Sequence, residues 1–253
     1  MRSRILTALL LVAACDVFAE SNSKLVRVLN DGQAAFGTFV RDKTEAEARA
    51  FARNPGLDFL FYDMERGEFD VATLTTFLAA LREGGSAPSV IVRIPPIHGD
   101  PEAAQTRTEA LIEASADGVA FPHIMSASEA ATAASWIDAK TDRMWPGNPD
   151  GDFVSFVMIE DPDVVPQSRQ ITAARGISIF SPGPGSLRGA YDGDMDKVRM
   201  AVETVLSACK ASSVPCANTA SSADIEAKVD AGFRLMIAMG EGTLELGRKA
   251  AGR

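Results

Sequence analysis

Cysteine is scarce in this chain, with three in 253 residues. That excludes a small scaffold built on disulfides. Positive charge is also short. Lys and Arg number 25 against 34 Asp and Glu, giving a net charge of −9 and a pI of about 4.8. An acidic surface argues against nucleic acid as a partner, because phosphate contacts need a basic face. It leaves anionic small molecules open, since a site can be locally positive in an acidic protein. No short repeat is present, which excludes collagen and coiled coil, and no linker or low-complexity stretch interrupts residues 35–250. The chain is 46% apolar, too much for a disordered protein and enough for one large core.

The one long apolar run lies at the N-terminus. Arg2 and Arg4 precede the run 5–14, and Val17-Phe18-Ala19 offers a small-residue cleavage site before Glu20. This pattern predicts a secretory signal over residues 1–19. The run is too short for a good transmembrane span. Val12-Ala13-Ala14-Cys15 supports a second reading, a lipobox in which Cys15 is acylated and becomes the new N-terminus. Both readings place the protein outside the cytoplasm, as a periplasmic protein or as a lipoprotein held to the membrane by lipid alone. Export leaves Cys209 and Cys216, seven residues apart. They are either bridged or two buried free thiols, because sequence does not give the Cα separation.

From residue 35 onward, short apolar runs alternate with amphipathic segments. The runs 36–40, 58–63, 89–94, 118–122, 153–160, 176–181, 215–218 and 234–239 read as strands. The segments 44–53, 71–82, 101–115, 127–139, 162–174, 195–210, 222–231 and 243–249 read as helices. Pro101 and Pro162 stand at first-turn positions, and Ser126 and Ser221 at N-cap positions. The strands are mostly unbroken apolar runs, as expected when both faces are covered. Eight such units predict a single-domain α/β fold over 35–250, a (β/α)8 TIM barrel. A doubly wound sheet would carry a Gly-rich fingerprint after its first strand, and none is there. The loop 143–152, rich in Pro and Gly, falls on the face of the barrel away from the chemistry.

In such barrels the chemistry sits at the C-terminal ends of the strands. Those ends carry Asp63, Glu65 and Arg66, then Arg93, His123, Glu160 with Asp161, the stretch Ser181–Ser186, and Asn218-Thr219. Both histidines, His98 and His123, fall on that face, His98 in a surface turn. Carboxylates suit a hard divalent cation, which can polarise a substrate oxygen and stabilise an enolate. A fixed guanidinium grips a carboxylate with two prongs. A Gly-rich turn exposes N–H groups toward an anion.

Four stretches together resemble the HpcH/HpaI aldolase/citrate lyase family of metal-dependent pyruvate aldolases. FLFYDMERGEFD (59–70) resembles the segment ending Asp-x-Glu-His. VIVRIP (90–95) resembles the segment with the pyruvate-binding Arg. VSFVMIED (154–161) resembles the segment with the metal-binding Glu, and FSPGPGSLRGAYDG (180–193) the turn with a second metal ligand. The resemblance implies substrate binding by Arg93, with Ser186 beside it, and metal binding by Glu160 with Glu65 and Asp63. Four features depart from the family pattern. Arg66 stands where the family has its general-base His, Met158 where it has Gln, and Ser186 where it has the second metal Asp. The Arg-Gly-x-Gly stretch before the fifth strand is missing.

These residues lead to an expected carbon–carbon lyase acting on a 2-oxo acid such as pyruvate, with Mg²⁺ or Mn²⁺ as cofactor and a homo-oligomeric assembly. Catalytic roles fall to His123, which can move a proton near neutral pH, and to Arg66, which can hold an anion but not accept a proton. The alternative is an exported anion-binding pseudoenzyme that keeps Arg93 and Arg66 and has lost the metal and the base.

Overall fold

The structure, a computed structural model, describes residues 23–253; the expected signal segment 1–19 and Cys15 lie outside it. Nine parallel strands follow one another: β1 (Ala35–Phe39), β2 (Phe59–Asp63), β3 (Ser89–Arg93), β4 (Gly118–Phe121), β5 (Met144–Trp145), β6 (Phe153–Ile159), β7 (Ile179–Pro182), β8 (Ala217–Ser221) and β9 (Leu235–Met239). Pairing runs β6-β4-β3-β2-β1-β9-β8, with β7 and the two-residue β5 both on β6. A parallel bridge between Phe180 and Cys216 brings β7 to β8 and closes the ring. Without β5, the ring is the expected eight-stranded barrel.

Alternation along each strand divides the apolar residues into two layers. Phe59, Phe61, Val154, Phe156 and Ile237 face inward and fill the barrel. Leu60, Tyr62, Val157 and Ile159 face outward, under the helices. Those helices are α2 (Glu45–Ala52), α3 (Val71–Arg82), α4 (Pro101–Glu113), α5 (Ala127–Lys140), α6 (Ser168–Thr172), α7 (Pro184–Ala190), α8 (Met195–Ala211), α9 (Ile225–Ala231) and α10 (Thr243–Ala250). Pro101 opens α4, with Asp100 as its cap, and Ser126 caps α5, so the expectations for Pro101 and Ser126 hold.

Before all of these comes α1 (Lys24–Asn30), which the sequence reading leaves outside the fold. Leu25, Val26, Val28 and Leu29 join the inner layer, so α1 plugs the N-terminal end of the barrel. Its first turn is fixed by Ser89, whose Oγ accepts from the Leu25 N–H at 3.1 Å. The C-terminus locks the same end. Arg253 grips the fully buried Asp58 with two N–H groups, at 2.7 and 3.0 Å, while the Phe36 N–H donates to Asp58 at 2.9 Å.

Three local expectations are corrected. Residues 162–174 do not form one helix from Pro162. A 3-10 turn, Val165–Gln167, precedes the short α6, because Pro166 has no N–H to continue an α-helical ladder. The N-cap of α9 is Asp224 rather than Ser221, which ends β8 and donates to Asp224 through its N–H at 2.7 Å. Residues 183–186 are not an open Gly-rich turn. Pro184 starts α7, so Ser186 sits in its first turn. The Cys209–Cys216 alternative resolves to a disulfide with a Cα separation of 5.8 Å, tying the end of α8 to the residue that bridges β7 to β8.

Breaking one side of the buried Arg253–Asp58 pair leaves a carboxylate without its main partner. Arg253→Ala should therefore lower unfolding free energy by about 3 kcal/mol in urea titrations. An unchanged midpoint would mean that Lys24 and Arg248, at 4.0 and 3.6 Å from Asp58, suffice to hold it.

Candidate active site

A cavity of about 420 Å³ opens at the C-terminal ends of the strands. Asp63, Glu65, Arg66, Arg93, Glu160 and Ser186 all contribute to its wall, from three separate strand ends and α7. The barrel thus brings together six of the seven residues singled out by the sequence. Arg93 is the centre of this cluster. It ends β3 directly beside Asp63, its register partner at the end of β2. Its Nε and Nη2 donate to the two Asp63 oxygens at 3.0 and 2.5 Å, and its Nη1 lies 2.9 Å from Glu65 Oε2. The Glu65 N–H also donates to Asp63, at 3.0 Å. The guanidinium lies over the Phe61 ring, 5.7 Å from its centroid.

Burial opposes charge on both partners, and the pairing outweighs it. Asp63 is held below its ordinary value because the Arg93 and Glu65 hydrogen bonds overcome its desolvation. Arg93 is pushed above its ordinary value by Asp63 and Glu65 despite burial. A guanidinium has five N–H donors. Three are engaged here, so one hydrogen on each terminal nitrogen is left for a ligand. Arg66 is exposed at the rim and makes no ion pair among the described residues.

Glu160 follows β6 and is 2% exposed. Its Oε1 accepts from the Ser186 hydroxyl at 3.0 Å, and its Oε2 from the His123 N–H at 3.2 Å. Gly183 makes this fit: a Cβ there would collide with the Glu160 carboxylate. His123 has a left-handed backbone, with φ of 51°. It stands beside the carboxylates but off the cavity wall. Its Nε2 lies 3.7 Å from both Glu65 and Glu160, and its Nδ1 lies 3.0 Å from Asp161. His98, in a 3-10 turn after β3, is exposed and outside this cluster. Asn218 is also outside it. Because β8 runs on to Ser221, Asn218 is buried within the strand and only Thr219 reaches the cavity.

One partnership and one participant escape the sequence reading. Asp161 looks like a helix cap before Pro162, but with no helix there it serves His123. Lys43 lies in a polar loop with nothing to mark it, yet its Nζ donates to the Asp63 carbonyl at 2.7 Å. The apolar part of the wall also goes unread, because Phe39, Phe61 and Ile237 look like ordinary strand residues.

The donor set does not fit a resident divalent cation as it stands. Where the family pattern has a second carboxylate, Ser186 supplies a hydroxyl that is already donating to Glu160. Asp63 and one oxygen of Glu65 are taken by Arg93. Among the described residues, no three or more His, Cys, Asp or Glu side chains are arranged to hold a metal ion. Hard cations are held chiefly by charged oxygens. Ser186→Asp should therefore raise Mg²⁺ or Mn²⁺ affinity at least tenfold in calorimetry on chelator-stripped protein, and Glu160→Gln should remove the gain. Tight binding by the wild type would contradict this account of Ser186.

A family model for HpcH/HpaI aldolase/citrate lyase matches residues 35–243. A search of curated proteins finds no matching sequence. Solved structures show the same fold. An HpcH/HpaI aldolase/citrate lyase family protein from Burkholderia cenocepacia J2315 superposes with a TM-score of 0.73 at 20% identity, over 85% of this chain and 92% of that one. The HpcH/HpaI aldolase from Desulfitobacterium hafniense DCB-2 gives 0.70 at 20% identity, over 89% and 93%. The citrate lyase beta subunit from M. tuberculosis, complexed with oxaloacetate and magnesium, gives 0.60 at 17%, over 87% and 97%. Nothing in these comparisons supports the pseudoenzyme alternative. With the match spanning nearly all of the barrel, the chain belongs to the HpcH/HpaI aldolase/citrate lyase family, a family of carbon–carbon lyases.

Proposed function

We propose that this chain is a carbon–carbon lyase that acts on a 2-oxo acid through its enolate, with Arg93 as the substrate anchor. The observation that carries this is the clamping of Arg93 on the cavity wall by Asp63 and Glu65, with two N–H groups to spare. One meets the substrate carboxylate. The other meets the oxo oxygen, where negative charge gathers as the enolate forms. Because the guanidinium is already fixed, little freedom is lost when substrate binds.

A base is also needed. The family-pattern base position holds Arg66, which cannot accept a proton at working pH. Glu65 lines the cavity, and its Oε1 faces His123 Nε2 at 3.7 Å. Glu65 takes the proton from the substrate hydroxyl, and His123, fixed by Asp161, stabilises the carboxyl group from behind. Arg66 at the rim draws in the anionic substrate.

Incubation with a 4-hydroxy-2-oxo acid tests this reading. The wild type should release pyruvate, and Arg93→Lys, which loses the planar fork, should lower kcat/KM by about a hundredfold. If no such acid is cleaved and calorimetry finds no 2-oxo acid bound, the reading fails.

The protein also belongs, on this reading, to an oxidising compartment. The basic-apolar N-terminus and the Cys209–Cys216 disulfide both support export. Intact-mass measurement on protein from its native host should find a mature chain beginning at acylated Cys15 or at Glu20. A chain retaining Met1 would contradict export.

A further inference from the structure

The wall of the cavity is divided. Its charged residues come from the ends of β2, β3 and β6, clustered about Arg93, with the Ser186 hydroxyl of α7 beside them. The opposite arc, from β8 through β9 to β1, presents Thr219, Ile237, Met239 and Phe39. Phe39 stacks edge-on against Phe61, with centroids 5.4 Å apart, so the apolar surface continues down to the floor of the cavity. Met239 remains 44% exposed at the lip, one of few large apolar side chains left open to solvent. No Lys, Arg or His lies on this arc; the two cations of the wall, Arg93 and Arg66, both belong to the charged side.

The size of the cavity adds a second constraint. About 420 Å³ is within the range of sites that enclose drug-sized ligands, and much more than a three-carbon oxo acid fills. The rest of the substrate must occupy the apolar arc. A carboxylate there would lose its hydration and meet no cation on the wall, since Lys228 behind Thr219 is off the lining and already held by the Thr219 carbonyl and Asp224, and that loss is costly. An alkyl or aryl group would be transferred from water onto Phe39, Ile237 and Met239, which is favourable.

We infer that the substrate is a 4-hydroxy-2-oxo acid whose C4 substituent is uncharged and apolar, alkyl or aryl, held by Phe39, Ile237 and Met239. This inference rests on the lyase reading and names the second product. In the cleavage direction the C3–C4 bond breaks and the C4 hydroxyl gives its proton to the base. C4 becomes the carbonyl carbon of an apolar aldehyde. The electron pair passes to the enolate of the 2-oxo acid, which then takes a proton at C3 from the protonated base, restoring the carboxylate. No oxidant or reductant is needed.

The test compares two 4-hydroxy-2-oxo acids of similar length, one ending in phenyl and one in a carboxylate. The wild type should cleave the phenyl compound with a kcat/KM at least tenfold higher. Met239→Lys, which places a cation at the lip, should reverse or erase that preference. A binding experiment runs alongside: calorimetry with a phenyl-substituted 2-oxo acid and with a dicarboxylic 2-oxo acid. A wild type that prefers the carboxylate tail, or a preference that Met239→Lys leaves untouched, overturns the inference and leaves the lyase reading standing. Tighter binding of the phenyl compound with no cleavage of either acid supports the apolar arc and overturns the lyase reading.

Discussion

The ion pair at the ends of β2 and β3 organises the mouth of this barrel. Parallel register puts Asp63 directly beside Arg93. That neighbour relation turns one of the most mobile side chains into a fixed group, held at both terminal nitrogens and at Nε. The remaining charges follow from it. Glu65 is drawn in by Arg93 and by its own N–H bond to Asp63. Glu65 then faces His123, and His123 bridges across to Glu160 and Asp161. Acidic groups that would repel one another are placed around one guanidinium and one imidazole. Burial of Arg93 over the Phe61 ring lowers the local dielectric and strengthens every contact in the set.

Two of the departures from the family pattern, Arg66 and Ser186, lie among these polar groups at the mouth. Ser186 replaces a carboxylate and spends its hydroxyl on Glu160. Gly183 allows α7 to approach that same carboxylate. His123 supplies its backbone N–H to the other oxygen. Glu160 is therefore satisfied by the protein itself. A buried carboxylate without these donors would be strongly destabilised, and with them it becomes part of a closed hydrogen-bonded network.

The fold was largely legible in the sequence, because its signals are local. Eight apolar runs separated by capped amphipathic segments admit few architectures. Errors arose where a local signal competed with another. Pro162 resembles a helix start, yet Pro166 four residues later forbids that helix. The 183–186 stretch looks like a loop by its Gly and Pro, although Pro is well suited to the first turn of α7. The plug α1 was hidden because its apolar face points into the barrel, a contact with no counterpart in local sequence. The site was legible only in part for the same reason. Arg93, Glu160, Asp63 and Glu65 stand at strand ends and could be read from position. The partnership of His123 with Asp161, and that of Lys43 with Asp63, depends on loops whose paths are set by tertiary contacts. The apolar arc was invisible because Phe39 and Ile237 obey the same alternation as core residues.

The central claim is that Arg93 holds a 2-oxo acid while a carboxylate beside it exchanges the substrate's proton. Proton NMR of pyruvate in deuterium oxide with the purified protein tests this without knowledge of the aldehyde partner. The account predicts enzyme-dependent loss of the C3 proton signal as the enolate forms and takes deuterium, abolished by Arg93→Lys and strongly slowed by Glu65→Gln. Persistence of the C3 signal with wild-type protein under conditions where pyruvate is bound would contradict it.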